Sequence, residues 1–395
     1  MSDHRNQDSG YRGPALFSYG FRPFFLGASL FAGLAIPIWV AALAGADSPA
    51  FAFPPRDWHV HEMVFGFLPA VITGFLLTAI PNWTDRPPIR GVELMALFAL
   101  WLAGRLLIAL PWVPSFLTAA VDAAFLVSVA GLVWREIAAG QRWSHAPVGG
   151  LITLYAGANV LFHALALSGA ATDVSERMAL SLLMLLLTVI GGRVAPAFTG
   201  EFLLDRGRTE QIPSFSRYDG LSIALVGLAG LSWTLHPSGF ATAWMLILAG
   251  SANLGRLSRW RGWLTWREPL VLILHVGYGW LGAALVLLGC AILGIGLPVT
   301  DAVHGLTTGA VGVMTLAVMT RASLGHTGRM RHADPVTVVM YALVFVGALL
   351  RVAGPATGLR ANLVLGFAAV CWSGAYLLFA MVYGRYLLRP GLDEP

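Results

Sequence analysis

The sequence contains no lysine, only two cysteines and few charged residues of any kind. Charged side chains make up 11% of the 395 residues, whereas a soluble globular chain carries about a quarter. So little charge cannot cover the surface of a soluble domain of this length. The composition therefore excludes nucleic-acid-binding, intrinsically disordered and disulfide-rich secreted proteins, and it indicates a polytopic membrane protein.

Several familiar motifs are also missing. The two cysteines, Cys290 and Cys371, lie in apolar runs and form no CxxC pair, so we interpret them as packing residues. The sequence has no HExxH, no cysteine pair and no three-histidine spacing, which disfavours a zinc site. No apolar segment with a cleavage site follows the polar N-terminus, and no removable signal peptide is expected. The longest loop, 199–218, is too short to form a core, so any chemistry must lie within the helices.

Apolar runs long enough to cross a bilayer recur along the whole chain. A transmembrane helix needs about 20 predominantly apolar residues. By this criterion the sequence predicts an all-α membrane domain over residues 1–395. The twelve predicted spans are 22–44, 60–80, 92–110, 114–134, 147–168, 177–198, 219–235, 240–256, 269–292, 301–320, 335–353 and 361–385.

The arginines lie mostly on one side of these spans. The loops and tails of one side carry twenty arginines and those of the other side four, with Arg105 inside a span. Arginine is enriched on the cytoplasmic side of membrane proteins. We therefore predict that both tails, 1–21 and 386–395, lie in the cytoplasm.

Span ends show similarities at intervals of four helices, such as Trp134-Arg135 and Tyr383-Gly-Arg385. One interpretation is a parallel repeat of three four-helix units. The other is that aromatic and arginine residues decorate helix ends in any membrane protein. The sequence leaves both open.

Four histidines fall at similar depth near the predicted outer face. His59 and His61 begin span 2, His163 lies late in span 5, and His304 opens span 10. Imidazole is a frequent ligand of metals and of haem iron. Any one of them alone is better explained by a hydrogen bond to a neighbouring helix, but four at one depth favour a metal or cofactor site.

Their neighbours suggest more specific roles. His59 and His61 project about 200° apart on a helix, so only one should face a given partner. His59 lies one turn before Met63, a combination that suits copper. Arg105 and Asp122 are interpreted as an intramembrane ion pair, with a contact between Arg105 and haem propionates as the alternative. Glu62 either orients a histidine or faces water.

His275 stands apart near the predicted inner face, one turn from Tyr278. It is interpreted either as the ligand of a second metal or as a hydrogen-bond donor to a carbonyl of another helix. The sequence does not choose between the two.

Several motifs together resemble the NnrS family. They are Phe21-Arg-Pro-Phe-Phe25, Trp58-His-Val-His-Glu-Met63, Gly74-Phe-Leu-Leu-Thr-Ala-Ile-Pro-Asn-Trp-Thr84, Gly192-Arg-Val-Ala-Pro-Ala-Phe-Thr199, His275-Val-Gly-Tyr278 and the segment from Met314 to Arg329. The resemblance implies a bacterial inner-membrane protein of twelve spans that contains haem and copper. It also implies a link to denitrification, nitric oxide metabolism and nitrosative stress.

Haem–copper oxidases offer an analogy at the level of fold. Their core has three four-helix arcs, and histidines on spans 2 and 10 hold a low-spin haem. Here His61 or His59 on span 2 and His304 on span 10 would hold a haem b, with His163 and His275 as further metal ligands. Spans 6 and 7 lack the histidines of the oxidase binuclear site, so a copied oxygen-reducing centre is not expected.

Three functions remain open at this stage. The first is redox or binding chemistry on nitric oxide, with an electron donor that the sequence does not identify. The sequence does not decide between an oxidoreductase and a binding protein. The second is a transporter for copper, haem or a small anion. The third is a sensor or assembly factor, which the absence of a cytoplasmic domain disfavours. The oligomeric state is not predicted.

Overall fold

The computed structural model describes residues 11–45, 51–358 and 360–392, and these residues form helices and turns with no β-strand. Twelve long helices correspond to the twelve predicted segments. In chain order they are α1 Phe21–Leu43, α2 Pro55–Thr84, α3 Val92–Ile108, α4 Ser115–Ala139, α5 Ala146–Leu167, α6 Asp173–Asp205, α7 Arg217–Leu235, α8 Phe240–Ser258, α9 Pro269–Ile292, α10 Val299–Gly325, α11 Pro335–Ala353 and α12 Ala361–Leu387. The prediction of an all-α, polytopic membrane protein is confirmed.

Ten of these helices are long and apolar enough to cross a membrane, and α3 and α8 are the two that fall short. With 17 residues, α3 is about 26 Å long at about 1.5 Å per residue, less than the hydrocarbon core of about 30 Å. Polar residues such as Asn253 and Arg256 lower the hydropathy of α8. Ten spans are therefore supported, and the count of twelve stays a prediction.

The largest difference in helix ends concerns α6, which continues through Pro196 to Asp205, seven residues beyond the predicted end at 198. Proline has no N–H to donate to the carbonyl four residues earlier, here that of Gly192. The guanidinium of Arg256 compensates in part, with Nη2 3.5 Å from the Gly192 oxygen and Nη1 donating to the Thr188 oxygen at 2.8 Å. The predicted loop 199–218 is therefore partly helical.

Local sequence explains where several helices begin. Proline stands in the first turn of α2, α9 and α11, where no helical N–H is required. Ser216 and Asp219 cap α7 reciprocally, which satisfies backbone donors at its start. Between α8 and α9, Gly250 lies so close to α9 that an added Cβ would be 2.5 Å from the Gly282 carbonyl oxygen. Small residues thus allow these two backbones to pack tightly.

The chain divides into two compact units. The first unit comprises residues 1–176, 319–331 and 376–395, and the second comprises 177–318 and 332–375. In the first unit α1 packs on α2, and α4 packs on α2, α3 and α5. In the second unit α8 packs on α7 and α9. A single membrane domain and a repeat of four-helix units stay predictions.

Each unit contains one widened, π-helical turn within the described residues. In α2 it spans Glu62–Phe67 and in α10 Gly305–Gly312. Such turns interrupt the regular hydrogen bonding of a helix and often occur at functional sites. Both follow immediately after a histidine, His61 and His304.

Candidate metal site

The widened turn of α2 is anchored by side chains from two neighbouring helices. The indole N–H of Trp101 on α3 donates to the carbonyl of Gly66 at 2.9 Å, and the hydroxyl of Tyr155 on α5 donates to the carbonyl of Val64. A π turn leaves backbone carbonyls without their regular helical partners. These two donors satisfy the carbonyls of Gly66 and Val64. They also hold α2 in the rotation that turns His61 toward α4 and α5.

His61, Asp122 and His163 bring potential metal ligands together from α2, α4 and α5. Nε2 of His163 lies 2.8 Å from Oδ2 of Asp122, and Nε2 of His61 lies 3.2 Å from the same oxygen. The three ligand atoms lie within 4.8 Å of one another, and all three residues are buried. Two imidazoles and a carboxylate form a donor set that suits transition metals.

Asn159 connects the same three helices. It lies one turn before His163 on α5, and its amide nitrogen donates to Oδ2 of Asp122 at 3.0 Å. Its amide oxygen lies 3.3 Å from Nε2 of His61. The amide therefore helps to hold both side chains in place.

Glu62 and Arg105 complete the arrangement on the other side of His61. Oε1 of Glu62 lies 3.0 Å from Nδ1 of His61 and accepts from Nη1 of Arg105 at 2.7 Å. Nη2 of Arg105 donates to Oδ1 of Asp122. We refer to these six side chains as the polar cluster: His61, Glu62, Arg105, Asp122, Asn159 and His163.

The polar cluster holds two carboxylates and one guanidinium, all three nearly inaccessible to solvent. Glu62 is 1% exposed, Asp122 2% and Arg105 6%. With neutral histidines the cluster carries a formal charge of −1. An uncompensated buried charge costs several kcal/mol. A proton or a metal cation bound at the histidines would offset this negative charge.

Comparison with known protein families agrees with the motifs in the sequence. A family model described as NnrS protein matches residues 15–390. The chain belongs to the NnrS family. This family is linked in general to the response to nitric oxide and is generally associated with metal and haem. A comparison with curated proteins found no match.

One sequence prediction about this NnrS-family protein is confirmed in the polar cluster. Arg105 and Asp122 form the expected buried ion pair. Of the two alternatives left open for Glu62, the structure favours the one that orients a histidine, because Glu62 is buried beside His61. The alternative role of Arg105, a contact with haem propionates, stays a prediction.

His59 and Met63 lie in an aromatic environment. The His59 ring stacks on Trp39 of α1, with the centroids 4.7 Å apart and the planes within 4°. Met63 packs into an apolar cluster that includes Trp58 and Trp39. The prediction that His59 and His61 have different partners is therefore confirmed. Copper binding by His59 and Met63 stays a prediction.

His275 and His304 belong to the second unit. Nε2 of His275 lies 2.7 Å from the hydroxyl oxygen of Thr199, a partner that the sequence analysis did not consider. Nδ1 of His304 lies 2.7 Å from the carbonyl oxygen of Thr300 in its own helix. That bond places the proton on Nδ1 and leaves Nε2 able to ligate a metal. Metal ligation by His275 and haem ligation by His304 stay predictions.

Sequence reasoning missed Asn159, although its spacing of four from His163 could have revealed it. It also missed a buried network in the second unit. There Arg256 Nε donates to Asp219 Oδ1 at 2.7 Å and Nη1 donates to the Tyr278 hydroxyl at 2.9 Å, which in turn donates to Asn253 at 2.6 Å. Arg256 stands at the end of the predicted span 240–256, yet it is 1% exposed.

Proposed function

We propose that this protein binds a transition-metal ion at His61, Asp122 and His163 and uses it to bind or convert nitric oxide within the membrane. The observation that carries the proposal is the convergence of two imidazole nitrogens on one carboxylate oxygen in a buried cluster of charge −1. A metal cation would supply the missing positive charge. The family's general link to nitric oxide supplies the biological setting.

The residues around the ligands support this role. With a metal ion on Nε2 of His61, the Nδ1–H of the same ring would donate to Oε1 of Glu62, which lies 3.0 Å away. Arg105 in turn holds Glu62 at 2.7 Å. Hydrogen-bonded partners of this kind commonly orient metal-ligating histidines and raise metal affinity.

The geometry fits an ion better than a haem at His61. A haem held between His61 and His163 would need the two rings on opposite faces of the macrocycle, whereas both lean toward Asp122 with centroids 5.0 Å apart. Ligation of a haem b by His304 is also part of the proposal.

Copper and iron are the metals that we propose for the site. Imidazole suits both, and both bind nitric oxide, whereas zinc has no redox chemistry. When bound, such an ion would supply a binding position for nitric oxide and a redox partner. Nitric oxide is small and uncharged, so it can reach a buried site from the lipid without a polar channel.

Metal analysis of the purified full-length protein tests the proposal. We expect the wild type to bind one ion at this site and to change its optical or electron paramagnetic resonance spectrum on adding nitric oxide. His163→Gln should lose both properties. His145→Gln is the matched control, since His145 stacks on Trp83 outside the polar cluster and is not among the predicted ligands, and it should retain both. Retention of the metal by His163→Gln would overturn the proposal.

A transporter for copper is the second candidate, because the same ligands would hold a metal ion in transit. A nitric oxide-binding site and a copper transporter differ in whether the bound ion stays or is released. A resident ion stays bound during purification, whereas a transported ion exchanges and accumulates in proteoliposomes under an ion gradient. Transport of haem or a small anion has no supporting contact in the polar cluster.

We also propose that the protein lies in the bacterial inner membrane with both termini in the cytoplasm. The unequal distribution of arginine supports this orientation. It places the start of α2 and the polar cluster toward the periplasmic side. Reporter fusions at the two termini and at the loop before α2 test it, and opposite sides for the two termini would contradict it.

A further inference from the structure

The segment that precedes α2 places an aromatic side chain directly over the two histidines. The ring centroid of Phe53 lies 5.1 Å from that of His61, 5.8 Å from that of His163 and 5.4 Å from that of Phe162. Phe53 therefore contacts both imidazoles of the proposed metal site. No other described residue of this segment, 51–54, has a ring contact to them.

The solvent exposure of the side chains decreases from Phe53 toward the two histidines. Phe53 is partly exposed, while His61 and Phe162 are 0% exposed, Phe65 1% and His163 4%. Phe65 and Phe162 flank His61 from the buried side, with centroids 5.4 and 4.9 Å away. Phe53 thus lies between the surface of the first unit and the ligands, and it completes an apolar wall around them.

Other contacts hold this segment in place independently of the Phe53 ring. The Ala52 N–H donates to the Ile108 carbonyl at 3.0 Å, and Phe51 stacks on Trp58 with centroids 4.3 Å apart. Just beyond, both terminal nitrogens of Arg56 donate to the Glu176 carboxylate at 2.7 Å. A change of the Phe53 side chain should therefore leave the segment anchored.

We propose that Phe53 controls access to the metal site. This inference rests on the proposed function and deepens it. The apolar ring blocks hydrated ions and anions, which would have to lose water against an apolar wall. A small uncharged ligand such as nitric oxide meets no such cost. Phe53 would therefore retain the metal ion and select a neutral diatomic ligand.

Entry of Co²⁺ into the metal-free, full-length protein tests the inference. Coordination of Co²⁺ by imidazole and carboxylate changes its visible absorption, so the entry rate can be followed directly. We expect Phe53→Ala to accelerate entry by on the order of tenfold or more, because removal of a covering side chain removes the slow step. The amount of Co²⁺ bound at saturation should not change.

Phe75→Ala is the matched control, because it shortens another partly exposed phenylalanine of the first unit, one that contacts Trp83 instead of the histidines. It should leave the entry rate near that of the wild type. Phe53→Leu keeps an apolar side chain should Phe53→Ala fail to fold, and it should give an intermediate rate. Equal rates for Phe53→Ala and the wild type, or equal acceleration by Phe75→Ala, would overturn the inference.

A failure of the proposed metal site itself would give a different experimental result from a failure of the role of Phe53. A wild-type protein without a Co²⁺ spectrum, or one whose spectrum persists in His163→Gln, would contradict the proposed function itself. A normal spectrum with an entry rate insensitive to Phe53 would contradict only the role of Phe53.

Discussion

The π-helical turns of α2 and α10 have the same sequence pattern and different surroundings. In both, a proline begins the segment, a Val-His pair precedes the turn, and a glycine lies five residues after the histidine. The shared positions are Pro55, Val60, His61 and Gly66 in one, and Pro298, Val303, His304 and Gly309 in the other. His61 is fully buried within the polar cluster, whereas His304 is partly exposed and bonds its own helix.

The neighbouring helices account for this difference. Beside α2, Arg105 occupies the space over Gly66, and an added Cβ there would overlap its guanidinium. Beside α10, Trp280 occupies the space over Gly309, 2.5 Å from an added Cβ. A histidine before a π turn thus becomes part of a potential metal site only where the adjacent helices contribute charge and further ligands.

The largest expected difference between the two turns follows from removing the arginine near each of them, which is Arg105 near the turn of α2 and Arg351 near the turn of α10. Arg105→Gln should lower the free energy of unfolding by about 3–5 kcal/mol, because it leaves two carboxylates buried without their cation. Arg351 pairs with Asp301 at 2.7 Å, and its side chain is 18% exposed. Arg351→Gln should therefore cost only about 1 kcal/mol. Denaturation in mixed micelles measures the unfolding free energy of both variants. An equal loss in Arg105→Gln and Arg351→Gln would contradict the difference between the two turns.

A smaller effect is expected from adding a methyl group to each glycine. Gly66→Ala and Gly309→Ala should each cost about 1–3 kcal/mol, because a neighbouring side chain must shift. Only Gly66→Ala should also reduce metal binding, since it displaces Arg105 and with it Glu62 and Asp122. Thermal unfolding together with metal content separates the two effects. Loss of metal in Gly309→Ala would contradict the assignment of the site to the first unit.

The smallest effect concerns the two tryptophans that face these turns. Trp101→Phe removes the indole donor to the Gly66 carbonyl and should cost about 1 kcal/mol. The indole N–H of Trp280 has no hydrogen-bond partner within the described ranges. Trp280→Phe should therefore change the unfolding free energy by much less. A larger loss for Trp280→Phe than for Trp101→Phe would refute this reading of the two turns.

Part of the candidate site could be predicted from the chain alone. Arg105 and Asp122 lie on consecutive antiparallel helices at matching depth, so a buried ion pair followed from the cost of isolated charge in a membrane. His61 and His163 were predicted as candidate metal ligands, but the sequence did not indicate that both contact Asp122. Asn159 was missed because an uncharged polar residue stands out less among apolar neighbours than a charged one.

Other features had no clear signal in the sequence. The angular separation of His59 and His61 predicted different partners, yet it did not indicate which histidine joins the site. That outcome depends on the rotation of α2, which the bonds from Trp101 and Tyr155 to its π turn stabilise. The continuation of α6 through Pro196 likewise depends on Arg256, a residue sixty positions away.

The sequence by itself determined the helical membrane class, the helical segments and the family, because long apolar runs and local motifs are contiguous in the chain. Only the tertiary structure decided that His61, Asp122 and His163 meet around one carboxylate oxygen. The physical reason is that ligand geometry depends on helix rotation and on contacts between residues far apart in the chain. Hydrophobic periodicity specifies neither of these to the accuracy that a metal site requires.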